Sequence, residues 1–438
     1  MERKPTRSPT TTRRPAAFWT VAVVALSAAG VTAVLSHKLG VAAGLAILLA
    51  GILVADPVLV AVLAFPGAFL LMRVGGSSTN LSLSDLVVFV AALASLTQVD
   101  WSRARGLRAF LTTFLAYEAV LIVVVAVHPN RYDIVEWFHR MSDVAGSVVI
   151  GWVVATRGRI RVAVRLYLAA ASAVALVAIV TALRLHFAPA QWGLYQKNAV
   201  GAMMWVAVVV AQLNPRWLGL TTRWARIPEG LCFLGLLASQ SRQSMIVLIG
   251  ALILATMVRS DIHRRSKLIF VFVLPLAVLA YVSFQNQFAV NPKFNSVAIR
   301  VDQLGIALNV WHQNPWLGQG MRFYNLPQFA GVPVPPNVVI GGLASTGVVG
   351  VAALLVFFGT SFGVMARLPR AYGVMGLAIL AGHYVEGLFD IFWIGAYAAI
   401  PFLMVGLCLG AADGDLLGLA GRDEAATRRT VGILRTPP

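Results

Sequence analysis

Long apolar runs, separated by short polar breaks, fill most of the chain. A helix that spans a membrane needs about 17–25 mostly apolar residues. The runs between charged residues or Pro/Gly breaks give these candidate spans: 18–36, 39–55, 57–72, 84–97, 107–127, 139–155, 163–186, 198–213, 228–240, 243–258, 268–284, 338–362, 371–389 and 392–411. Several are short, so the pattern predicts an all-α integral membrane protein with about 12–14 transmembrane helices.

The composition supports this prediction. Hydrophobic residues make up 59% of the 438 residues and charged residues only 12%, whereas an ordinary soluble domain carries about 25% charged residues. The apolar content and the two cysteines exclude a disordered chain and a disulfide scaffold. We therefore expect one polytopic membrane domain over residues 18–411, between cytoplasmic tails at residues 1–17 and 412–438.

The net charge of +18 would, in a soluble protein, suggest a nucleic-acid partner. In a membrane protein, however, Lys and Arg concentrate in the cytoplasmic segments. With the N-terminus placed inside, 25 of the 35 Lys and Arg residues fall in inside segments and 10 in outside segments. This distribution predicts that both termini are cytoplasmic and that no nucleic acid is bound. The first apolar run is expected to be a signal anchor rather than a cleaved signal peptide.

One predicted connection is much longer than the others. Residues 285–337 form an outer loop of 53 residues, whereas connections between bundled helices usually have about 2–8 residues. Within the loop, residues 299–313 have the spacing of an amphipathic helix that lies along the membrane interface. Because long loops of this kind commonly carry function, the sequence predicts an extracytoplasmic site.

Four of the outside cations are candidates for an anion site. Arg242 lies in a polar turn between two apolar helices, and a charge near membrane depth usually faces a cavity or an anion. Lys197 begins a helix at the same level, Arg300 lies in the loop helix, and Arg322 follows a glycine-rich turn. Such cations suit the oxygens of a diphosphate. The alternatives are that Arg242 reaches lipid phosphates and that Lys197 and Arg322 are surface charges.

Several short motifs occur in an order and at a spacing similar to those of a known family. They are Lys197-Asn198-x-x-Gly201, Ser239-x-Ser241-Arg242, Arg300 followed by Asn314-Pro315-Trp316-Leu317-Gly318-Gln319-Gly320, and Asn337 through Ser345-Thr346-Gly347-Val348-Val349-Gly350, with Leu81-Ser82-Leu83-Ser84-Asp85-Leu86 upstream. Together they resemble the O-antigen ligase and Wzy-type polymerase superfamily, multispan glycosyltransferases of the GT-C class. The resemblance covers roughly residues 80–410.

The resemblance implies a reaction and its participants. Such enzymes transfer a glycan from an undecaprenyl-diphosphate carrier to a hydroxyl of a glycan or glycolipid acceptor, at the outer face of the cytoplasmic membrane and among its lipids. The implied diphosphate ligands are Arg242, Arg300, Lys197 and Arg322, with Asn198, Ser241 and Asn337 in support. No cofactor, metal or nucleotide is expected, because arginines would neutralise the leaving group. The outer loops also contain no DxD-like pair and no His/Cys cluster at ligand spacing.

The sequence departs from the family at the position of its proposed general base. The last motif of the family opens with His-Asn and has a Glu eight residues after the Asn. This chain has Pro336 and Ser345 at those two positions. Since proline cannot accept a proton, either another residue deprotonates the acceptor hydroxyl or the chemistry has been lost or changed.

Two replacements for the missing base are available. His383, Glu386 and Asp390 are spaced i, i+3 and i+7 in one predicted span, which puts them on one helix face. Ionisable groups within a span are functional candidates. His312 in the loop helix is the second option. The structural alternatives are that the first three residues pair with a cation such as Arg242, and that His312 is a surface residue.

Three functions follow from these patterns. The first is a lipid-carrier-dependent glycan ligase or polymerase. The second is a non-catalytic relative that binds the lipid-linked glycan within an assembly complex, which the missing His-Asn pair favours. The third is a transporter or flippase for the same lipid, but such proteins usually contain inverted repeats, and the two halves of this chain show no convincing repeat.

Overall fold

The structure of the protein, a computed structural model, describes residues 56–72, 82–258, 296–391, 393 and 398–415. The chain divides into two compact units, residues 1–60 and 61–438. Of the first unit, only residues 56–60 are described. The predictions that lie outside the described residues are the N-terminal tail, the spans 18–36, 39–55 and 268–284, residues 285–295 of the outer loop, most of residues 392–397 of the last span, and residues 416–438 of the predicted C-terminal tail.

Most of the described chain is helical. The α-helices are α1 (Pro57–Gly67), α2 (Leu83–Leu96), α3 (Arg105–Val127), α4 (Arg131–Arg140), α5 (Ser147–Thr156), α6 (Ile160–Arg184), α7 (Lys197–Leu213), α8 (Thr222–Ser239), α9 (Arg242–Val258), α10 (Ser296–Gln313), α11 (Val338–Ala366), α12 (Arg370–Gly387) and α13 (Ala398–Asp415). A π-helix, Met141–Gly146, joins α4 to α5. The short 3-10 helices are Arg216–Leu218, Phe323–Asn325 and Pro327–Phe329.

Apolar helices of membrane-spanning length confirm the predicted fold class. Four helices within the described ranges, α3, α6, α11 and α13, are long and apolar enough to cross a membrane, and α1, α2, α7 and α9 are shorter apolar helices. The same ranges contain no β-strand, although isolated bridges occur, such as the one between Trp192 and Tyr195. The chain is therefore an all-α, multi-pass membrane protein.

The apolar runs predicted most helix positions to within a few residues. Residues 198–213 correspond to α7, and the predicted loop helix 299–313 corresponds to α10. The largest difference is at the predicted span 139–155, where the helical segment begins earlier, at Arg131, and passes through the π-helix. Helix α4 is polar, so hydrophobicity could not reveal it. Four of its five acidic and basic side chains, Asp133, Glu136, His139 and Arg140, are nevertheless buried, because they pair with one another and with the loop.

Helix α7 lies at the centre of the bundle. Every residue from Ala199 to Leu213 is buried, and the helix packs against α6, α8, α9 and α12. A helix that is apolar on all sides must be surrounded by other helices or by lipid, and the burial of α7 shows that helices surround it. The first residues of α7, which carry the Lys197-Asn198 motif, are thereby fixed against the first turn of α9 and the last turn of α12.

Two glycines bring α5 and α13 into backbone contact. A Cβ atom added to Gly406 would overlap the carbonyl oxygen of Val148, and one added to Gly151 would overlap the backbone at Leu403 and Leu407. Small residues allow membrane helices to approach closely, which increases their van der Waals contact. This contact anchors α13 to the helical segment that continues from α4.

The close approach predicts a destabilising effect of a single methyl group. We expect Gly406→Ala to lower the free energy of unfolding by about 1–3 kcal/mol, because the backbone of α5 must move away. Gly359→Ala in α11 is the matched control, since no atom lies within 4 Å of the added Cβ; it should be neutral or stabilising by up to about 1 kcal/mol. Thermal unfolding of the purified protein in detergent measures both. Equal stability of the two variants would contradict the packing described.

Candidate functional site

Two of the sequence motifs meet at the first turns of α7 and α9. Gly201 makes this possible, because a Cβ atom at that position would lie 2.5 Å from the Cβ of Ser241 and 2.6 Å from the Oγ of Ser244. Ser241 also donates to the Oδ1 of Asn198, at 3.4 Å. The Lys197-Asn198-x-x-Gly201 and Ser239-x-Ser241-Arg242 motifs therefore form one packed junction at one end of these helices.

Asp390, just beyond the end of α12, accepts hydrogen bonds from both of these helices. Its Oδ2 accepts hydrogen bonds from the Nδ2 of Asn198 and the Nε2 of Gln243, each at 2.7 Å. Its Oδ1 accepts one from the backbone N–H of Ile391, at 2.8 Å. The side chain is only half-buried. The carboxylate is thus held in a fixed orientation while part of it stays accessible.

Three cations lie close to one another on the side of the site where Gln243 holds this carboxylate. The Nη2 of Arg300 lies 3.5 Å from the Oε1 of Gln243, which itself holds Asp390. Loss of surrounding water lowers the pKa of the Lys197 ammonium, and the positive charges of Arg242 and Arg300 lower it further, while Asp390 raises it. Burial and then the charge of Arg300 lower the pKa of Arg242. Lys197, Arg242 and Arg300 are therefore close enough to repel one another, which an anion bound between them would relieve.

Glu386 lies in the last turn of α12, four residues before Asp390, and is deeply buried. Its Oε2 accepts from the Nε1 of Trp205 at 2.9 Å and its Oε1 from the Oγ of Ser244 at 3.0 Å. Ser244 is in turn within 2.9 Å of Ser241. Both carboxylate oxygens thus have a hydrogen-bond donor, so Glu386 connects α12 to α7 and α9 beneath the cation cluster.

A small pocket opens between these groups. Its lining is formed by Asn198, Ala202, Gln243, His383, Glu386, Gly387, Asp390 and Ile391. The three candidate bases predicted on one face of α12 therefore do face a common cavity. His383, at its inner end, is buried and packs edge-to-face on Phe402, with ring centroids 5.6 Å apart. Asp390 is the most exposed of the three and lies nearest to the cations.

Asn337 positions the start of α11 relative to this pocket. Its Oδ1 accepts from the backbone N–H groups of Val339 and Ile340, both at 2.9 Å, which is the usual role of an asparagine at a helix N-terminus. Its Nδ2 donates to the carbonyl oxygen of Leu388, at 2.9 Å. Asn337 therefore ties α11 to the end of α12, two residues before Asp390.

The remaining two motifs pack directly against each other. Helix α11 is broken at Gly347, which has φ 64° and ψ −169°. The loop closes this break, because Gln319 and Gly320 donate to the carbonyl oxygens of Ala344 and Ser345, at 2.9 and 3.0 Å. Val348 and Val349 donate to the carbonyl oxygens of Pro315 and Trp316. Backbone groups released by a break at membrane depth need such partners, and residues 314–320 supply them.

Arg322 lies in a different cluster from the other predicted diphosphate ligands. It is buried, and its Nε donates to the Oε2 of Glu136 at 2.7 Å, while its backbone N–H donates to the Oδ1 of Asp133 at 2.8 Å. The structure thus brings Lys197, Arg242 and Arg300 together and gives Arg322 a structural partner. His312 is exposed on α10, beside Trp311.

Several residues of these clusters were not predicted from the sequence. Gln243 donates a hydrogen bond to Asp390, and Trp205 donates one to Glu386. Apart from their proximity to the motifs, no sequence pattern marks these two residues as functional. A second set, Asp85, His139 and Asp143, brings three ligand atoms within 4.8 Å of one another and could hold a metal ion. His139 and Asp143 have the i, i+4 spacing that could have revealed this pair, but Asp85 comes from a different helix.

The arrangement around Asp390 can perform a limited set of reactions. Three cations can bind a doubly charged oxyanion, and an oriented, partly accessible carboxylate can accept a proton next to it.

Residues 230–355 match the family model described as O-antigen ligase (Wzy_C). The match includes three of the motifs: Ser239 to Arg242, the loop 314–320 and the break of α11. No curated protein matches the chain significantly.

Proposed function

We infer that the chain transfers a glycan from a lipid carrier to an acceptor. The match over residues 230–355 supports this inference, because it supports membership of the O-antigen ligase and polymerase superfamily. The proposed donor is an undecaprenyl-diphosphate-linked glycan, and the proposed acceptor is a hydroxyl of another glycan or a glycolipid. The proposed face is the outer side of the cytoplasmic membrane, which the distribution of Lys and Arg predicts for the end where Lys197 and Arg242 lie.

One observation carries this proposal: the three cations next to the held carboxylate of Asp390. Lys197, Arg242 and Arg300 come from α7, α9 and α10, and their positive charges repel one another. A bound diphosphate would convert that repulsion into attraction, because it places negative charge between the three groups. An anionic ligand between them would offset the cost of holding these cations together.

The proposed reaction forms one bond and breaks another. The acceptor oxygen attacks the anomeric carbon of the donor sugar, and the bond between that carbon and the diphosphate oxygen breaks. The departing oxygen keeps the electron pair, and the three cations stabilise its negative charge. The acceptor proton passes to the carboxylate of Asp390, which later releases it to water. In this scheme Glu386 is a positioning residue, because both of its oxygens are already engaged by Trp205 and Ser244.

The cation cluster makes a quantitative prediction about two arginines. We expect Arg242→Gln and Arg300→Gln each to lower transfer by about 10²–10³-fold, the effect of removing one charge-stabilising donor from a transition state. Arg131→Gln is the matched control, since Arg131 is exposed and contacts the neighbouring Tyr132. The assay uses purified protein in liposomes with a synthetic undecaprenyl-diphosphate glycan and an acceptor glycolipid, and follows the product by mass spectrometry.

The same assay separates the three candidate functions. A glycosidic product that is lost in both arginine variants supports transfer. Donor binding without product in the wild-type protein would make the chain a binding member of an assembly complex. Movement of the donor across the bilayer without product would make it a transporter. Normal transfer in both arginine variants, at unchanged protein levels, would contradict the assignment of the site.

A further inference from the structure

A second polar cluster lies apart from the cations, where α2 meets the π-helix. The Nε2 of His139 is 3.2 Å from the Oδ1 of Asp85 and 3.2 Å from the Oδ2 of Asp143. All three residues are more than nine-tenths buried. The proposed glycan transfer does not use any of these residues, so the cluster needs an explanation of its own.

The local fold positions each of the three side chains. Asp85 is the third residue of α2, and its Oδ2 accepts the backbone N–H of Ser82 at 2.6 Å in a capping box. This bond aims the other oxygen, Oδ1, at His139. Asp143 lies in the π-helix Met141–Gly146, and π-helical turns occur frequently at functional sites. Here the widened turn puts Asp143 opposite Asp85, with the imidazole of His139 between them.

The facing atoms do not satisfy one another by hydrogen bonds. Among the described residues, neither the Nε2 of His139 nor the Oδ1 of Asp85 forms a hydrogen bond, although they lie within ion-pair distance. The second oxygen of Asp143, Oδ1, is also without one in this part of the chain. Buried polar atoms usually have a hydrogen-bond partner. His139 and Asp85 still face each other at 3.2 Å, so the Oδ1 of Asp143 is the atom for which a further ligand is most clearly indicated.

The charge balance of the cluster indicates the sign of that ligand. Connected buried carboxyl groups outnumber the buried arginines; the acids are Asp85, Glu118, Asp133, Glu136 and Asp143, and the arginines are Arg140 and Arg322. Two carboxyl groups face the imidazole of His139 from opposite sides, and such a set of donor atoms suits a cation better than an anion.

We propose that Asp85, His139 and Asp143 bind a divalent transition-metal cation, of which Zn²⁺ is the best match. Two ligand atoms that are each about 2.1 Å from one ion, at an angle of about 100°, lie about 3.2 Å apart. The two distances from the Nε2 of His139 have this value. One imidazole with carboxylates suits Zn²⁺ better than Mg²⁺ or Ca²⁺, which prefer oxygen ligands alone.

Glu136, on the other side of the His139 ring, supports the same site. The Nδ1 of His139 faces the Oε2 of Glu136 at 3.9 Å, and a metal-binding histidine usually directs its second nitrogen toward a carboxylate. Glu136 is itself held by Arg140 and Arg322. The ion would join the start of α2 to the segment between α4 and α5. Its role is structural, and the metal-independent transfer proposed at Asp390 does not require it.

Metal analysis of the full-length protein tests this proposal without any activity assay. The protein is purified in detergent without a histidine tag, treated with EDTA, incubated with Zn²⁺ and passed through a desalting column. We expect about one equivalent of zinc per chain by mass spectrometry, and a higher midpoint of thermal unfolding with Zn²⁺ than with EDTA. His139→Gln and Asp143→Asn should each lose the bound zinc and the thermal shift.

Asp413→Asn is the matched control for these variants. Asp413 is also a buried aspartate, but it accepts hydrogen bonds from the Nε1 of Trp152 and the backbone N–H of Gly106. This variant should keep the equivalent of zinc. Wild-type protein that retains no zinc would overturn the proposal and would mean that protons balance the cluster. Zinc retained by both site variants would also overturn it, and neither result depends on the variants folding as stably as the wild type.

Discussion

Asp390→Asn is expected to lower the rate of glycan transfer by about 10²–10⁴-fold, the usual contribution of a general base. Asparagine keeps the shape of the side chain and one acceptor oxygen, so the hydrogen bonds from Asn198 and Gln243 can persist. The amide cannot accept the proton of the acceptor hydroxyl at neutral pH. The affinity for the lipid-linked donor should stay the same or rise, because a negative charge has been removed from beside three cations.

This separation of rate from affinity distinguishes a base from a residue that only supports the fold. Single-turnover transfer and equilibrium binding of the donor, both measured in liposomes, give the two quantities. Asp302→Asn is the matched control, because Asp302 is an exposed carboxylate on α10; it should change neither quantity. Weaker donor binding in Asp390→Asn, in parallel with the rate, would instead assign Asp390 to positioning the cations.

Glu136→Ala is expected to cause the largest loss of stability, about 3–5 kcal/mol, because removing one partner of a buried ion pair leaves the other charge uncompensated. Glu136 pairs with two arginines: its Oε1 lies 3.0 Å from the Nε of Arg140, and its Oε2 lies 2.5 Å from the Nη2 of Arg322. The variant leaves both guanidinium groups with less negative charge nearby. Since Arg322 belongs to the loop, we expect the loop to separate from α4.

Chemical denaturation in mixed micelles measures the stability, and limited proteolysis detects cleavage within the loop. Asp100→Ala removes an ion pair with Arg103 in which the side chains are 52% and 62% exposed. Such exposed pairs contribute at most about 1 kcal/mol, so this control should unfold like the wild type. A Glu136→Ala protein as stable as the control would show that water reaches the arginines.

The sequence predicted the helices well because the signal is local. The hydrophobicity of each residue reflects its own surroundings in a helix, and this local information was enough to predict the positions of α7 and α10. It failed at α4, where Asp133 and Glu136 are buried against Arg322, nearly 190 residues further along the chain. No local pattern contains that partner. Orientation across the membrane stays a prediction from the distribution of Lys and Arg.

The candidate site was predictable in part for the same reason. Lys197, Arg242 and Arg300 stood out because cations are rare beside apolar helices, and their convergence required the packing of α7 and α9 around Gly201. Asp390 was identified by its spacing from Glu386 along one helix face. The different role of Arg322 was not predictable, because its partner Glu136 lies in a helix that hydrophobicity did not reveal.

The closed break in α11 has a consequence for how the protein is made. Residues 314–320 leave the ribosome before residues 344–349, yet each segment satisfies the backbone groups of the other. The backbone groups of the earlier segment therefore stay hydrated until the later segment has entered the bilayer and can form hydrogen bonds with them. The two halves of α11 cannot be inserted and completed as independent units. We therefore expect residues 314–320 and α11 to reach their final structure together.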